Sequence, residues 1–171
     1  MEFLELAKQR YSVRAFAPQP VEDEKLEKIL EAGRIAPTGK NQQPQRIYVL
    51  KSPESMQKIN SLCACIYGAP VVLMVAYDKN RETVLADKGG IRLGETDASI
   101  VCTHMMLEAA ELGIGSCWVG WFDREEVRDA FGLPENEVVI ALLPLGYPAP
   151  DAAPSARHTQ YRPAEETIKE L

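Results

Sequence analysis

The stretch whose reading decides the fold is Gly94-Glu95-Thr96-Asp97-Ala98-Ser99-Ile100-Val101-Cys102-Thr103-His104-Met105-Met106-Leu107-Glu108-Ala109-Ala110-Glu111-Leu112. It is the longest helical pattern in the chain, and Gly113 supplies its stop. Ala98, Ile100, Val101, Met105, Met106, Leu107, Ala109, Ala110 and Leu112 occupy more than one face of that helix. A helix that is apolar around most of its circumference must be covered on more than one side. The expected covers are a sheet on one side and a second copy of the chain on the other. Asp97 and His104 fall on nearly the same face. With no nucleophile at suitable spacing, they read as polar contacts at an interface rather than as a catalytic pair.

Outward from this helix lie the strands it could cover. Pro70 to Tyr77 is nearly unbroken Val, Leu, Met and Ala and predicts a central strand buried on both faces. Ile47 to Leu50 and Val138 to Leu145 read as further strands, and Gly115 to Trp121 as a short strand opening into a glycine turn. Helices are expected from Glu2 to Gln9, from Glu22 to about Ala32 with Gly33 as the stop, and from Pro53 to about Leu62 behind a Ser52 cap. Asp123 with Glu126 opens another helix, which ends at Gly132. Asp78 to Leu93 gathers Lys79, Arg81, Lys88 and Arg92 around Gly89-Gly90 and reads as either a mobile lid or a solvated loop. Residues 149–171, rich in proline, read as an extended C-terminal arm. This order implies an α+β sandwich in one domain spanning residues 1–171, without repeats or linkers.

Composition narrows the functional classes. Hydrophobic residues at 46% and charged residues at 26% are ordinary globular values. A net charge of -6 and a pI near 5.1 oppose general binding to nucleic acid or to acidic membranes, so any anion site must be local. The amino terminus has no secretory pattern, and the strongest apolar run, Ala69 to Tyr77, is too short to span a bilayer. Cys63, Cys65, Cys102 and Cys117 lack zinc-site spacing and read as reduced thiols of a cytosolic protein; a metal or redox role for Cys63-Ala64-Cys65 is the less favoured reading.

Two stretches carry candidate chemistry. Arg10-Tyr11-Ser12-Val13-Arg14 places two guanidiniums around a hydroxyl at a helix exit. That set suits an oxyanion such as a phosphate, and each charge-assisted bond contributes roughly 1.5 to 3 kcal/mol. Taken alone, the same arginines read better as solvated or paired with the chain's many carboxylates, and only the motifs further along the chain reverse that preference. Ile35-Ala36-Pro37-Thr38-Gly39-Lys40-Asn41-Gln42-Gln43-Pro44 is a loop whose amides offer donors and acceptors without charge. It suits the edge of a heteroaromatic ring, or serves as a plain polar connector. Gly39-Lys40 is no P-loop, and Gly113-x-Gly115 is no dinucleotide fingerprint.

Taken in order, Arg10-Tyr11-Ser12-Val13-Arg14, Ala36 to Pro44, Gly113-Ile114-Gly115-Ser116-Cys117-Trp118-Val119-Gly120 and Leu145-Gly146-Tyr147-Pro148 resemble the nitroreductase family of flavin enzymes nearly end to end. The resemblance implies a three-layer α+β sandwich with a central, mostly antiparallel sheet flanked by helices. It also implies a homodimer with FMN at the subunit interface. By that analogy Arg10, Tyr11, Ser12 and Arg14 bind the cofactor, the phosphate above all. Pro37, Thr38, Asn41 and Gln43 of the second copy lie against the flavin. The backbone of Trp118, Val119 and Gly120 approaches the ring near N5, and Arg157 or Arg162 completes the phosphate site. The implied activity is ping-pong transfer of two electrons from NADH or NADPH to a nitroaromatic, a quinone or a similar electron-poor small molecule. No catalytic side chain and no metal is expected. A rival reading is a non-catalytic FMN store or redox sensor. Gln45 stands where the family often carries an aromatic residue, which leaves one side of the pocket undefined.

Overall fold

In a computed structural model describing residues 2–171, the buried strand expected around Pro70–Tyr77 lies at the centre of the molecule. The helices are α1 (Phe3–Gln9), α2 (Asp23–Arg34), α3 (Pro53–Leu62), α4 (Gly94–Glu111), α5 (Arg124–Ala130) and α6 (Ala164–Thr167). The strands are β1 (Gln45–Leu50), β2 (Val71–Asp78), β3 (Val84–Leu85), β4 (Ile91–Arg92), β5 (Gly115–Ser116) and β6 (Glu137–Gly146). The main sheet has the order β1-β2-β6-β5, and every neighbouring pair is antiparallel.

Alternation along β2 explains the three layers. Val71, Leu73 and Val75 enter one core with Leu26 and Ile29 of α2 and Val101 and Met105 of α4. Val72, Met74 and Ala76 enter the other core with Ile59 of α3 and Val127 of α5. Each fully buried Val, Leu or Met contributes roughly 1.5 to 3 kcal/mol relative to exposure, so a strand that is apolar from Val71 through Ala76 is stable only between two helical layers. The register shifts between Val75 and Ala76, opposite Ile140. This bulge lets Ile140 and Ala141 both face the α2/α4 core.

Local signals account for several element ends. Ser52 accepts from the Ser55 N–H at 3.1 Å, with Pro53 as the first helical residue. Asp123 accepts from the N–H groups of Glu125 and Glu126, and Gly113 (φ 73°) follows α4 in the left-handed region. Gly33 departs from expectation, because α2 runs through it to Arg34. A Cβ there would lie 2.8 Å from Cγ and Sδ of Met105, so this glycine permits close approach of α2 and α4 instead of stopping a helix.

The Asp78–Leu93 segment is a small hairpin of β3 and β4 with a tethered base. Glu82, whose side chain is 1% exposed, pairs with Arg92 and accepts from the Gly94 N–H. Arg81 reaches Asp78 at 3.8 Å. The arm also differs from an extended chain, turning near 155–158 and forming the short helix α6. All four cysteines are free. Among the described residues no helix is long and apolar enough to cross a membrane, and no cluster of His, Cys, Asp and Glu could hold a metal ion.

At the β1 edge, Arg46 lies 3.0 Å from Asp78 and 3.6 Å from Glu137, and Tyr48 donates to Glu137. Burial works against charge on Asp78. The Asn136 amide, the Asn80 N–H and the Arg46 and Arg81 guanidiniums outweigh it and hold the carboxyl below the usual carboxylate range. Burial, followed by the bond to Glu137, pushes the Tyr48 phenol up to about 12, so it stays a donor. This network is closed: its positive and negative groups face one another.

Candidate functional site

The Arg10–Arg14 stretch becomes an extra strand at the opposite edge of the sheet. At Arg10, the C-cap of α1, the chain turns extended (φ -59°, ψ 128°). Ser12 forms a parallel bridge with Ser116, and the Val13 N–H donates to the Ser116 carbonyl at 2.9 Å. Val13 packs inward at 2% exposure against Gly115, where a Cβ would lie 2.7 Å from the Val13 Cγ2. Extended backbone sends alternate side chains to opposite sides, so an inward Val13 leaves Ser12 and Arg14 on the solvent side.

There Arg10, Tyr11, Ser12 and Arg14 line an open cavity of about 340 Å³ together with Ser155, Arg157 and His158. The arm reaches it because His158 is pinned. Its Nε2 lies 3.0 Å from the Lys8 carbonyl, and its ring meets Tyr11 edge-on at 6.2 Å. Arg34, Arg46, Arg81, Arg92, Arg124, Arg128 and Arg162 each face a carboxylate within salt-bridge range. Arg10, Arg14 and Arg157 are the remaining arginines, have no such partner among the described residues, and all line this cavity. Arg162 is not brought to it; it pairs with Glu166 of α6 at 3.2 Å. A smaller, more apolar cavity of about 190 Å³ continues past Arg10 and Tyr11 to Leu6, Ala110 and Ile114.

Beneath Arg14 lie Cys117 and Tyr67. Burial raises the Cys117 thiol, and the charge of Arg14, a hydrogen bond with Ser12 and the charge of Arg10 partly offset it. The Tyr67 phenol is raised first by its hydrogen bond with Cys65 and then by burial, with Arg14 acting the other way. At neutral pH both are neutral, so neither cancels the arginine charge. Tyr67 adopts a left-handed conformation (φ 57°), which is rare for an aromatic residue and turns the chain from α3 toward β2.

Val119 is fixed to the middle of β6, its N–H donating to Leu142 and its carbonyl accepting from Leu142, both at 2.9 Å. Trp118 packs against the α2/α4 core. A Cβ added to Gly120 would meet nothing within 4 Å, and Trp121 beside it is 86% exposed. The backbone at Trp118–Gly120 is therefore held from behind and open in front.

Pro37, Thr38, Asn41 and Gln43 lie elsewhere. Their loop sits against the first turn of α4, where the Gly39 N–H donates to Asp97 at 2.9 Å. Lys40, Asn41 and Gln43 are all left-handed, with φ of 49°, 55° and 49°. Asp97 accepts from this loop and His104 Nδ1 lies 2.9 Å from the Ile100 carbonyl, so neither residue's hydrogen bonds link it to the other. The smaller cavity touches α4 at Ala110, near its other end. From Asp97 to Ala110 the helix rises about 20 Å at 1.5 Å per residue. Within one copy, the amide loop and the arginine cavity are therefore separate.

Sequence reasoning missed Ser155, His158 and Tyr67. The available signals were faint: a histidine beside Arg157, and a Tyr67-Gly68 turn just before the buried strand. What brings them in is the folding back of the arm on α1 and the left-handed turn, neither of which has a local pattern.

A model of the nitroreductase family matches residues 7–66 and 61–147. A protein of Archaeoglobus fulgidus named as an NADH dehydrogenase/NAD(P)H nitroreductase is 33% identical over 156 residues, 86% of this chain and 86% of its own. A nitroreductase family protein of Clostridium difficile superposes with a TM-score of 0.92 at 41% identity, covering 99% of this chain and 98% of its own. A nitroreductase of Desulfovibrio desulfuricans, crystallised in complex with FMN, gives 0.83 at 26% identity, with 100% and 97% covered.

Proposed function

The chain belongs to the nitroreductase family, and from that premise we propose that it is a cytoplasmic, homodimeric FMN-dependent oxidoreductase passing two electrons from NAD(P)H to a nitroaromatic, quinone or similar electron-poor acceptor. The observation that carries the reading is the cavity in which Arg10, Arg14 and Arg157, the arginines without a carboxylate partner among the described residues, converge around Ser12. In a protein of net charge -6, such a local excess of guanidiniums fits a phosphate in charge and donor chemistry. Arg10, Ser12, Arg14 and Arg157 would hold the FMN phosphate, and Tyr11 would wall the cavity. Trp118 to Gly120 would offer an immobile backbone to the ring, with no side chain at Gly120 to obstruct close approach.

The separation along α4 supports the dimeric reading. A two-fold axis crossing α4 near its middle would bring the Pro37–Gln43 loop of one copy beside the arginines of the other. The half-buried Ile100 and Leu107 of α4 and the exposed Phe3, Leu4 and Ile35 supply apolar surface for such a contact.

Hydride chemistry is supplied by FMN when bound. The chain contributes orientation, positive charge and an open slot at Gly120, which donor and acceptor visit in turn, a ping-pong order. No side chain is required as acid, base or nucleophile. The test is an anaerobic absorbance spectrum of the purified protein before and after one equivalent of NADH or NADPH. Flavin bands that bleach and return on adding a nitroaromatic or quinone are expected. Bands that persist with both nucleotides would move the reading to an FMN store or sensor, and a protein that takes up no FMN would sink it.

A further inference from the structure

We propose that Asp97 and Thr83 are positioning residues acting in trans, holding the Pro37–Gln43 loop of one copy in the shape that completes the cofactor site of the other. This inference rests on the dimeric FMN reading above. Its starting point is the Gly39 peptide, which is gripped at both ends. Its N–H donates to Asp97 Oδ1 at 2.9 Å, and its carbonyl accepts from Thr83 Oγ1 at 2.7 Å. Both gripping side chains belong to buried residues, Asp97 at 3% exposure and Thr83 at 4%. There is no room for a side chain at Gly39, whose Cβ would lie 2.9 Å from Leu93 Cδ1 and 3.0 Å from Thr83 Oγ1.

The grip is itself braced. Thr83 accepts from the Leu93 N–H at 3.0 Å, and Asp97 donates its own N–H to Leu93 at 2.8 Å. Glu82, the neighbour of Thr83, caps Gly94 and pairs with Arg92. The hairpin base and the first turn of α4 thus form one buried support. What it supports is exposed and strained: Lys40, Asn41 and Gln43 are left-handed and solvent-facing. An exposed connector relaxes such strain unless something over-determines it. Burying Asp97, whose Oδ2 has no partner among the described residues, is unfavourable for stability alone. Both features fit a preorganised binding surface. Because this surface stands about 20 Å along α4 from the arginine cavity of its own chain, it serves the second copy. On this view the Asp78–Leu93 hairpin is a buttress and not a lid.

The test separates trans from cis action. Asp97→Ala and Arg14→Ala chains carrying different tags are co-expressed, and the mixed dimer is isolated by two affinity steps. FMN binding is then titrated by quenching of flavin fluorescence. The Asp97→Ala homodimer is expected to bind FMN about tenfold more weakly, the loss of one charge-assisted hydrogen bond, and Asp97→Asn, which keeps an acceptor oxygen, to recover most of it. The mixed dimer should hold one FMN per two chains at wild-type affinity, since one of its sites combines an intact Arg14 with an intact loop. A mixed dimer with no wild-type site, beside a wild-type homodimer that binds FMN normally, overturns the trans clamp and leaves the function standing. A wild-type homodimer that binds no FMN overturns both. Should Asp97→Ala fail to fold, Thr83→Val crossed with Arg14→Ala reads the same outcomes.

Discussion

Two clusters of arginine sit at opposite edges of the same sheet and are built in opposite ways. Beyond β5, Arg10, Arg14 and Arg157 line an open cavity with no carboxylate among its lining residues and none in salt-bridge range among the described residues. On β1, Arg46 is 32% exposed and shared between Asp78 and Glu137, whose side chains are 11% and 8% exposed. In the second cluster each charge is answered by another residue of the chain, so removing one member strands the rest. In the first, no answering carboxylate stands within salt-bridge range among the described residues, so the guanidinium charges are left uncompensated. The lesson is that the same side chain is committed to the fold where its partner is internal, and is left available to an outside anion where it has none.

That contrast is most easily broken at Arg46. Arg46→Ala leaves Asp78 and Glu137 facing each other half-desolvated, and it should destabilise the protein by about 3 kcal/mol, or roughly 6 to 12 °C in thermal midpoint. FMN affinity should be untouched. A midpoint within error of wild type would remove the distinction. The mirror experiment is Arg14→Ala, expected to weaken FMN binding roughly 10- to 100-fold while moving the midpoint of the flavin-free protein by less than about 2 °C. Arg162→Ala, paired with Glu166 and away from the cavity, should change neither, and isothermal titration of the two variants side by side would show whether proximity to the cavity is what matters.

The smallest effect sharpens the comparison through pH. The Asp78 carboxyl titrates below its ordinary range in the folded protein. Its contribution is therefore fully present above the unfolded value near 3.9 and is lost as pH falls through the lower folded value. Unfolding free energies of wild type and Asp78→Asn between about pH 7 and pH 3 should start apart, by about 1 to 2 kcal/mol, and converge toward acid. A gap that widened on acidification would mean that the network is not held together by an ionised Asp78.

Much was legible from residue order alone. The uninterrupted apolar run of β2 required two covering layers, and the near-continuous apolarity of α4 required covers on more than one side, because burial of such surfaces is the main favourable term in folding. Ser52-Pro53, Asp123 and Gly113 marked element ends through bonds that span only a few residues. The grouping of two guanidiniums and a hydroxyl in Arg10-Tyr11-Ser12-Val13-Arg14 was also visible as a candidate anion site, since it depends on side-chain chemistry at close spacing. Other features depended on tertiary structure because each needs segments distant in sequence. Gly33 looked like a helix stop until Met105 of another helix came within contact distance of it. Arg157 and Arg162 were indistinguishable until His158 docked on Lys8 and the former turned to the cavity. The charged Asp78–Leu93 segment read as either a mobile lid or a solvated loop, and only the fold revealed that buried Glu82 tethers its base. Local propensity and pattern act over about a turn of helix or a pair of strands, whereas which arginine keeps a free charge is decided by where every carboxylate of the folded chain comes to rest.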